Sequence, residues 1–385
     1  MPEIIKKLKI RLRRWLKRAA CMVLLAPCYY ICCLWPVQKG LVVLADGHQD
    51  RLPYSMRALR LKLMELSHIK VVEYFRDYSF SGPVKGLWRM LCFMPLYARA
   101  EFVFICDSFV PTTCCHKRKG TTVIQLWHSC GLMKKVGVDS PEDAEGMMKT
   151  QFRNTDVFTA SAPVVADVLS KALMIPRENF SEAGVGRMDL LYSQGRVDRL
   201  REFFYENHPE YIGKKLVLWA PTFRGNVHDA RLEGEQTILK LQQELGDEYA
   251  IIIKTHRVVG RRNIDTPVVL TSEQLVAIAD CLITDYSSLY FDYLYFRKPV
   301  IFFAPDLEEY VEKRGLYPEY RDVPGFLAED EQSLRRGLTT IDSWADENYR
   351  ARQDRLWQEQ MNYCDGRSTE KLLLQLGILK EADTV

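Results

Sequence analysis

Short, continuously apolar segments alternate with helix-forming segments along this chain, and the alternation runs twice. Segments such as Ala250–Ile253 and Val300–Phe303 are apolar at every position, which is typical of strands buried on both faces of a parallel sheet. The candidate strands of the first run are Leu41–Ala45, Lys70–Phe75, Phe102–Cys106, Thr122–Leu126 and Asp156–Ala160. Those of the second run are Leu216–Ala220, Ala250–Lys254, Val268–Leu270, Cys281–Thr284 and Val300–Phe303. The pattern predicts two doubly wound α/β domains with a cleft between them.

The length of 385 residues suits this two-domain interpretation. A charged segment, Arg196–His208, separates the two runs. We therefore expect three parts: an N-terminal segment over residues 1–36, a first Rossmann-like domain over 37–195 and a second over 196–385. The C-terminal stretch Asn348–Ile378 reads as helix, broken near residues 365–366.

The net charge of +3 hides an uneven distribution. Residues 1–20 contain eight Lys and Arg side chains and a single acidic one, Glu3, so this segment carries +7 and the remaining chain −4. The apolar run that follows, Ala19–Trp35, has 17 residues and contains Pro27, which is near the lower limit for crossing a bilayer. The pattern favours a helical segment that lies on an anionic membrane surface, over a helix packed on the protein or a single transmembrane anchor. A mildly acidic body argues against nucleic-acid binding.

The eleven cysteines lack CxxC pairs and any Cys/His quartet. They are interpreted as reduced thiols of a cytosolic compartment. A Walker A loop, a GxGxxG loop, a nucleophile elbow and a zinc signature are all missing from the sequence as well.

A histidine follows the candidate strand Thr122–Leu126, in the segment Trp127-His128-Ser129-Cys130-Gly131. A histidine at the carboxyl end of a strand reaches into the cleft and can act as a general base. Lys134 and Lys135, a few residues further on, are candidates for contacts with phosphate or with the acceptor. The alternative for His128 is a structural histidine with satisfied hydrogen bonds.

Two serines, Ser287 and Ser288, stand between the strand Cys281–Thr284 and the next helical segment. Hydroxyls and free backbone N–H groups at such a junction attract an anion, so we expect phosphate binding there. The alternative is that one serine only caps the helix.

Cationic side chains end two further strands of the second run: Arg224 in Ala220–Gly225, and His256 after Lys254. A guanidinium fork and an imidazole can both bind diphosphate oxygens. For the arginine the alternative is a surface salt bridge.

Together these motifs resemble the CDP-glycerol glycerophosphotransferases of wall teichoic acid synthesis, from about Trp35 to Ile378. The matching segments are Trp35-Pro36, Trp127-His128, Gly186-Arg187-Met188-Asp189, Ala220–Arg224, Thr284–Ser288, Phe291-Asp292-Tyr293, Lys298-Pro299, Arg314-Gly315, Pro324-Gly325 and Asp365-Gly366 with Ser368. The chain departs from the family's usual pattern at Ser129, Gly186, Gly225 and Lys371.

The resemblance implies a GT-B fold and transfer of glycerol phosphate or ribitol phosphate from a CDP-polyol to a hydroxyl of a lipid-linked polymer, with release of CMP. It implies peripheral attachment to the cytoplasmic face of the cell membrane. Two other functions stay open: a nucleotide-sugar glycosyltransferase, and a non-catalytic assembly subunit. A homo-oligomer or a partner transferase is compatible with the sequence.

Within this resemblance we assign His128, His256 and Asp285 to catalysis. For Asp285, orientation of His256 or the serines and a buried structural role are equally supported. Donor-binding residues are expected to be Arg224, Thr284, Ser287, Ser288, Arg314 and Ser368. No metal ligand is assigned and no cofactor is certain, although Mg²⁺ often serves phosphoryl transfer.

Overall fold

The computed structural model describes residues 22–78, 82–141, 151–225, 230–255 and 264–380. Within them the chain forms two parallel β-sheets, each with helices on its faces. The predicted α/β architecture is confirmed at this level. The basic residues 1–20 and His256 lie outside the described residues.

The first sheet has six strands in the order β2-β1-β3-β4-β5-β6. These are β1 (Gln38–Asp46), β2 (Lys70–Phe75), β3 (Ala100–Ile105), β4 (Thr122–Gln125), β5 (Val157–Thr159) and β6 (Phe180–Ser181). The connecting helices are residues 22–32, Arg57–Met64, Pro83–Arg99, Val110–Thr113 and Pro163–Leu173.

The second sheet has five strands in the order β11-β10-β9-β7-β8. These are β7 (Lys215–Trp219), β8 (Tyr249–Ile253), β9 (Cys281–Thr284), β10 (Val300–Phe303) and β11 (Phe326–Ala328). Its helices are Gln194–Asn207, Glu235–Glu244, Ser272–Ile278, Leu289–Leu294, Leu307–Arg314, Glu331–Thr339, Ile341–Trp344 and Glu347–Gln360, and the last helix among the described residues is Ser368–Gln375.

Both faces of each sheet are buried, which explains the uninterrupted apolar runs in the sequence. In β1, Val43 packs into a core with the helix Pro83–Arg99, while its neighbour Val42 packs on the opposite face beside the helix Arg57–Met64. The alternation follows from the two-residue period of a strand.

The C-terminal helix Ser368–Gln375 returns to the first sheet. Leu372 and Leu373 share a core with Val42 and Leu44 of β1. The sequence-based division placed this helix with the second domain, and its packing ties it to the first sheet.

One predicted strand, Val268–Leu270, is wrong. These residues form a turn that leads into the helix Ser272–Ile278, whose start is fixed by reciprocal capping between Thr271 and Gln274. Leu270 is apolar because it is buried in the core next to that helix. Two very short strands, β6 and β11, were not predicted.

No helix among the described residues is both long enough and apolar enough to span a bilayer. Residues 22–32 form a helix, and Leu25 and Tyr29 on it are fully buried against the core of the first sheet.

Candidate active site

The turn that carries His128 is strained and held by a buried glutamine. Trp127 has a φ of +57°, a left-handed conformation that costs a non-glycine residue about 1–3 kcal/mol. Its backbone N–H donates to Oε1 of Gln125, 3.1 Å away, at the end of β4. The Trp127 ring lies beside the imidazole of His128, with centroids 4.4 Å apart. The turn therefore fixes where the histidine sits.

A carboxylate that the sequence analysis missed faces His128. Asp107 follows β3, and its Oδ2 lies 3.7 Å from Nδ1 of His128 and 3.9 Å from Nε2 of His48. Gln125 also donates from Nε2 to the Asp107 carbonyl at 3.1 Å. One buried amide thus positions both the histidine turn and the residue that faces the ring. The available signal was the location of Asp107 directly after a buried strand.

The pKa of His128 is lowered, because protein atoms surround much of the ring and penalise the cation. The Asp107 carboxylate opposes this effect, while Arg187 and Lys134 add to it. About half of the side chain's surface, 51%, stays open to solvent. A neutral, accessible imidazole can accept a proton at neutral pH.

The segment after His128 joins the two halves of the molecule. Lys135 donates its N–H to the carbonyl of Gly315 at 3.1 Å, and Tyr317 donates to the carbonyl of Met133 at 2.9 Å. Gly131 has a φ of +59° and lies against the ring of Phe291, where a Cβ would be only 2.4 Å from the ring. This position therefore requires glycine.

This segment carries Lys134 to the edge of the second sheet. Burial lowers the pKa of Lys134 to about 8, with further lowering by Arg314 and Arg224 and an opposing effect of Asp285. These electrostatic effects place Lys134 and Arg314 in one cluster of charges with Asp285. The side chain of Lys135 instead packs against Gly315.

Arg224 is held by carboxylates rather than left free. Its Nε and Nη2 donate to the two oxygens of Asp306 at 2.6 and 2.9 Å, and Nη1 lies 3.0 Å from Oδ2 of Asp285. The guanidinium is also close to the rings of Tyr286 and Tyr310, with 5.0 and 4.8 Å to the centroids. The structure therefore shows a salt bridge at Arg224, and it is a buried one, with the side chains of Arg224 and Asp285 only 9% and 5% exposed.

Asp285 is a buried acceptor. Its Oδ1 accepts the backbone N–H groups of Thr222 and Tyr286 at 2.8 and 2.7 Å, and its Oδ2 faces Arg224. Thr284 is buried too and donates from Oγ1 to the carbonyl of Ala220 at 2.8 Å. Thr284 and Asp285 are thus both buried at the strand end, 1% and 3% exposed.

The two serines differ from this buried pair because both are partly exposed. Ser287 accepts the N–H of Leu289 at 3.3 Å, in a local turn. Ser288 precedes the helix Leu289–Leu294 without a side-chain capping bond, so its hydroxyl is not used as a cap.

Ser368 is not brought to the charged cluster. It is 1% exposed and packs against Gly184, and its N–H donates to Oδ1 of Asp189 at 3.3 Å. Its place is the contact between the C-terminal helix and the turn that contains Asp189.

No group of three or more metal-ligating side chains occurs within the described ranges. The carboxylate nearest the cluster, Asp285, already has both oxygens engaged by N–H groups and by Arg224. These described residues do not form a Mg²⁺ site.

Three comparisons bear on this geometry. Residues 33–376 match the CDP-Glycerol:Poly(glycerophosphate) glycerophosphotransferase family. The teichoic acid ribitol-phosphate primase of Bacillus spizizenii is 30% identical over 360 residues, which cover 88% of this chain and 91% of the relative. The teichoic acid glycerol-phosphate primase of Bacillus subtilis is 30% identical over 294 residues, 70% of this chain and 72% of the relative. A solved structure of the wall teichoic acid polymerase TagF superposes with a TM-score of 0.74 at 20% identity, over 95% of this chain and 97% of that one, which shows a shared fold.

Proposed function

This chain belongs to the CDP-glycerol:poly(glycerophosphate) glycerophosphotransferase family, and from that membership we propose that it transfers a polyol phosphate from a CDP-polyol to a hydroxyl of a lipid-linked teichoic acid or related cell-surface polymer. CMP is the second product. The proposal covers glycerol phosphate and ribitol phosphate, because the two primases that are 30% identical to this chain differ in that polyol.

The observation that carries the proposal is the accessible, neutral imidazole of His128 beside Asp107. The acceptor oxygen attacks the phosphorus that carries the polyol, the bond from this phosphorus to the CMP oxygen breaks, and His128 takes the proton of the acceptor hydroxyl. Because Nδ1 lies on the side of Asp107, we assign Nε2 as the base. Catalysis then consists of alignment and charge stabilisation.

The donor diphosphate is assigned to the rim of the second sheet. Lys134, with a pKa of about 8, is mostly protonated at pH 7 and supplies positive charge. Ser287, Ser288 and Arg314 are the accompanying donors, and His256 keeps its assignment from its place after a strand and from the resemblance. We assign Arg224 and Asp285 to positioning, since their polar atoms already bind each other and their neighbours.

We assign the two domains the binding roles that the two domains of a GT-B enzyme have. Residues 37–195 would bind the acceptor and residues 196–385 the CDP-polyol, with the C-terminal helix packed on the first sheet. The cleft between them would contain both His128 and Lys134.

We also propose peripheral attachment to the cytoplasmic side of the cell membrane. Large apolar side chains are exposed on residues 22–35, among them Ile31 at 60% and Leu34 at 80% exposure. Val84 and Trp88 are exposed on the helix Pro83–Arg99, which packs with residues 22–32 in one core. Together with the basic residues 1–20, such a surface fits an anionic bilayer.

The test is CMP release from CDP-glycerol and CDP-ribitol with a lipid-linked acceptor. His128→Ala should lower kcat by about 100-fold or more, while CDP-polyol still binds. Normal CMP release by His128→Ala would remove His128 from its role. Transfer of a labelled sugar from a nucleotide sugar, without turnover of either CDP-polyol, would overturn the proposed reaction.

A further inference from the structure

A cavity of about 280 Å³ lies where the two halves meet. It is bordered by the helix Arg57–Met64 of the first half, by the helix Gln194–Asn207 and by Gln274 of the second half. None of the described residues assigned above to phosphoryl transfer lines it. It is therefore a separate feature of the molecule.

The charged side chains of this cavity are all cationic. Arg57, Arg60 and Arg196 line it, and no Asp or Glu does. The amide of Gln274 accepts the N–H of Thr271 at Oε1, 3.0 Å away, so its Nε2 remains as a donor. The polar lining offers mainly N–H donors, and such a lining selects a ligand rich in acceptor oxygens, which is a phosphate.

Two of the three guanidinium groups have no carboxylate partner in the part of the chain that the structure describes. Arg60 pairs with Glu73. Arg57 lies over the ring of Tyr54, with 5.2 Å from Cζ to the centroid. Within the described ranges, neither Arg57 nor Arg196 forms an ion pair with a carboxylate. Their charges are available to an anion.

The rest of the lining is apolar. Five leucines border the cavity, and Leu61 among them is 46% exposed. A free inorganic anion would leave this surface in water, whereas a phosphate ester with a hydrocarbon group would bury it.

We propose that this cavity binds a phosphate ester that carries an apolar chain. The site lies beside the joint between the halves. It is on the face of the first sheet opposite to the helix Pro83–Arg99.

The experiment measures binding of farnesyl phosphate to the full chain by titration calorimetry. We expect Arg57→Gln/Arg196→Gln to weaken this binding at least about tenfold, because charge-assisted hydrogen bonds to phosphate are lost. Arg199→Gln is the matched control: Arg199 is exposed on the same helix as Arg196 and does not line the cavity. It should bind like the wild type.

Three further ligands make the outcome decisive. Inorganic phosphate and farnesol should each bind more weakly than farnesyl phosphate, and CDP-glycerol should bind the double variant as it binds the wild type. Equal binding of farnesyl phosphate to wild type and double variant, or equal binding of inorganic and farnesyl phosphate, overturns the proposal. Loss of CDP-glycerol binding in the double variant overturns it too, since the cavity would then serve the donor. Failure of the proposed function would appear separately, as absent CMP release by the wild type.

Discussion

Arg187 and Asp292 form an ion pair that joins the two halves, with 2.9 Å between Nη2 and Oδ2. The two side chains are only 11% and 1% exposed. The same guanidinium donates from Nη1 to the backbone carbonyl of His128. The position of the proposed base is therefore tied to a buried charge on the helix Leu289–Leu294 of the other half.

Asp292→Asn should destabilise the protein by about 3 kcal/mol, because it leaves the Arg187 cation buried without a counter-charge. Denaturant unfolding followed by tryptophan fluorescence measures this change. Asp354→Asn is the control: it breaks an Arg–Asp pair of 2.7 Å with Arg297 that is about half exposed, and such surface pairs contribute about 0–1 kcal/mol. An equal decrease in the free energy of unfolding of the two variants would contradict a special role of the buried pair.

The Asp107 carboxylate affects the acid limb in the pH profile of kcat/KM, because it acts on the pKa of His128. His128 must be neutral to accept a proton, so activity rises with pH through its pKa, which lies below the ordinary histidine value. Because Asp107 favours the imidazolium, Asp107→Asn should move the acid limb of kcat/KM to still lower pH, and kcat should fall as the ring loses its partner. A lower kcat with an unmoved acid limb would show that Asp107 acts only on the fold.

Lys134 should make kcat/KM fall at alkaline pH, with the alkaline limb of the pH profile near pH 8. Its pKa is lowered to about 8 by burial, so the cation that we assign to the donor diphosphate is lost as pH rises through this value. Lys134→Arg retains the charge at higher pH, and the alkaline limb of kcat/KM should move upward by more than one pH unit. Lys135→Arg is the control and should leave the limb in place, as its side chain packs on Gly315. An alkaline limb that stays near pH 8 in Lys134→Arg would assign it to another group.

The strands were predictable because parallel sheets bury both faces of each strand, and the resulting apolar runs are visible without knowledge of the fold. Cys281–Thr284 and Val300–Phe303 were predicted with their observed bounds. Val268–Leu270 failed because an apolar run does not require a strand. Only Leu270 is buried here, in the turn before a helix, while Val269 is 47% exposed.

The roles of the site residues were harder to predict from the sequence than the strands. Each role depends on which partner the charged side chain meets in the folded chain. Arg224 has the sequence context of a phosphate-binding residue, and only the folded position of Asp306, 82 positions later, shows that its fork is occupied. Asp107 is far from His128 in sequence as well. The strand-end positions and the resemblance to a family identified the motifs, and the packing distinguishes contact residues from positioning residues.

The close contact at Gly131 should make that glycine far less replaceable than another with similar backbone geometry. Gly131 and Gly213 both have positive φ, +59° and +83°, but a Cβ at residue 213 would meet nothing within 4 Å. Gly131→Ala should therefore lose about 1–3 kcal/mol more stability than Gly213→Ala. It should also lower kcat, because the displaced segment carries Lys134. Equal unfolding midpoints of the two variants would show that the contact with Phe291 relaxes at no cost.

The exposed apolar side chains on residues 22–35 and on the helix Pro83–Arg99 should contribute to membrane binding as one surface. Burial of an apolar side chain in the bilayer interface contributes about 25 cal/mol per Å² removed from water, so a carboxylate at two of these positions should weaken binding to vesicles strongly. We expect Leu34→Glu/Trp88→Glu to reduce sedimentation with vesicles of anionic phospholipid at least about tenfold. The control is Ile212→Glu, which alters an apolar residue of similar exposure, 64%, in the second half. Since the basic residues 1–20 attract the same lipids through charge, the measurement is repeated at high salt, where the apolar contribution dominates. Equal vesicle binding by the double variant and the control under both conditions would exclude this surface from membrane attachment.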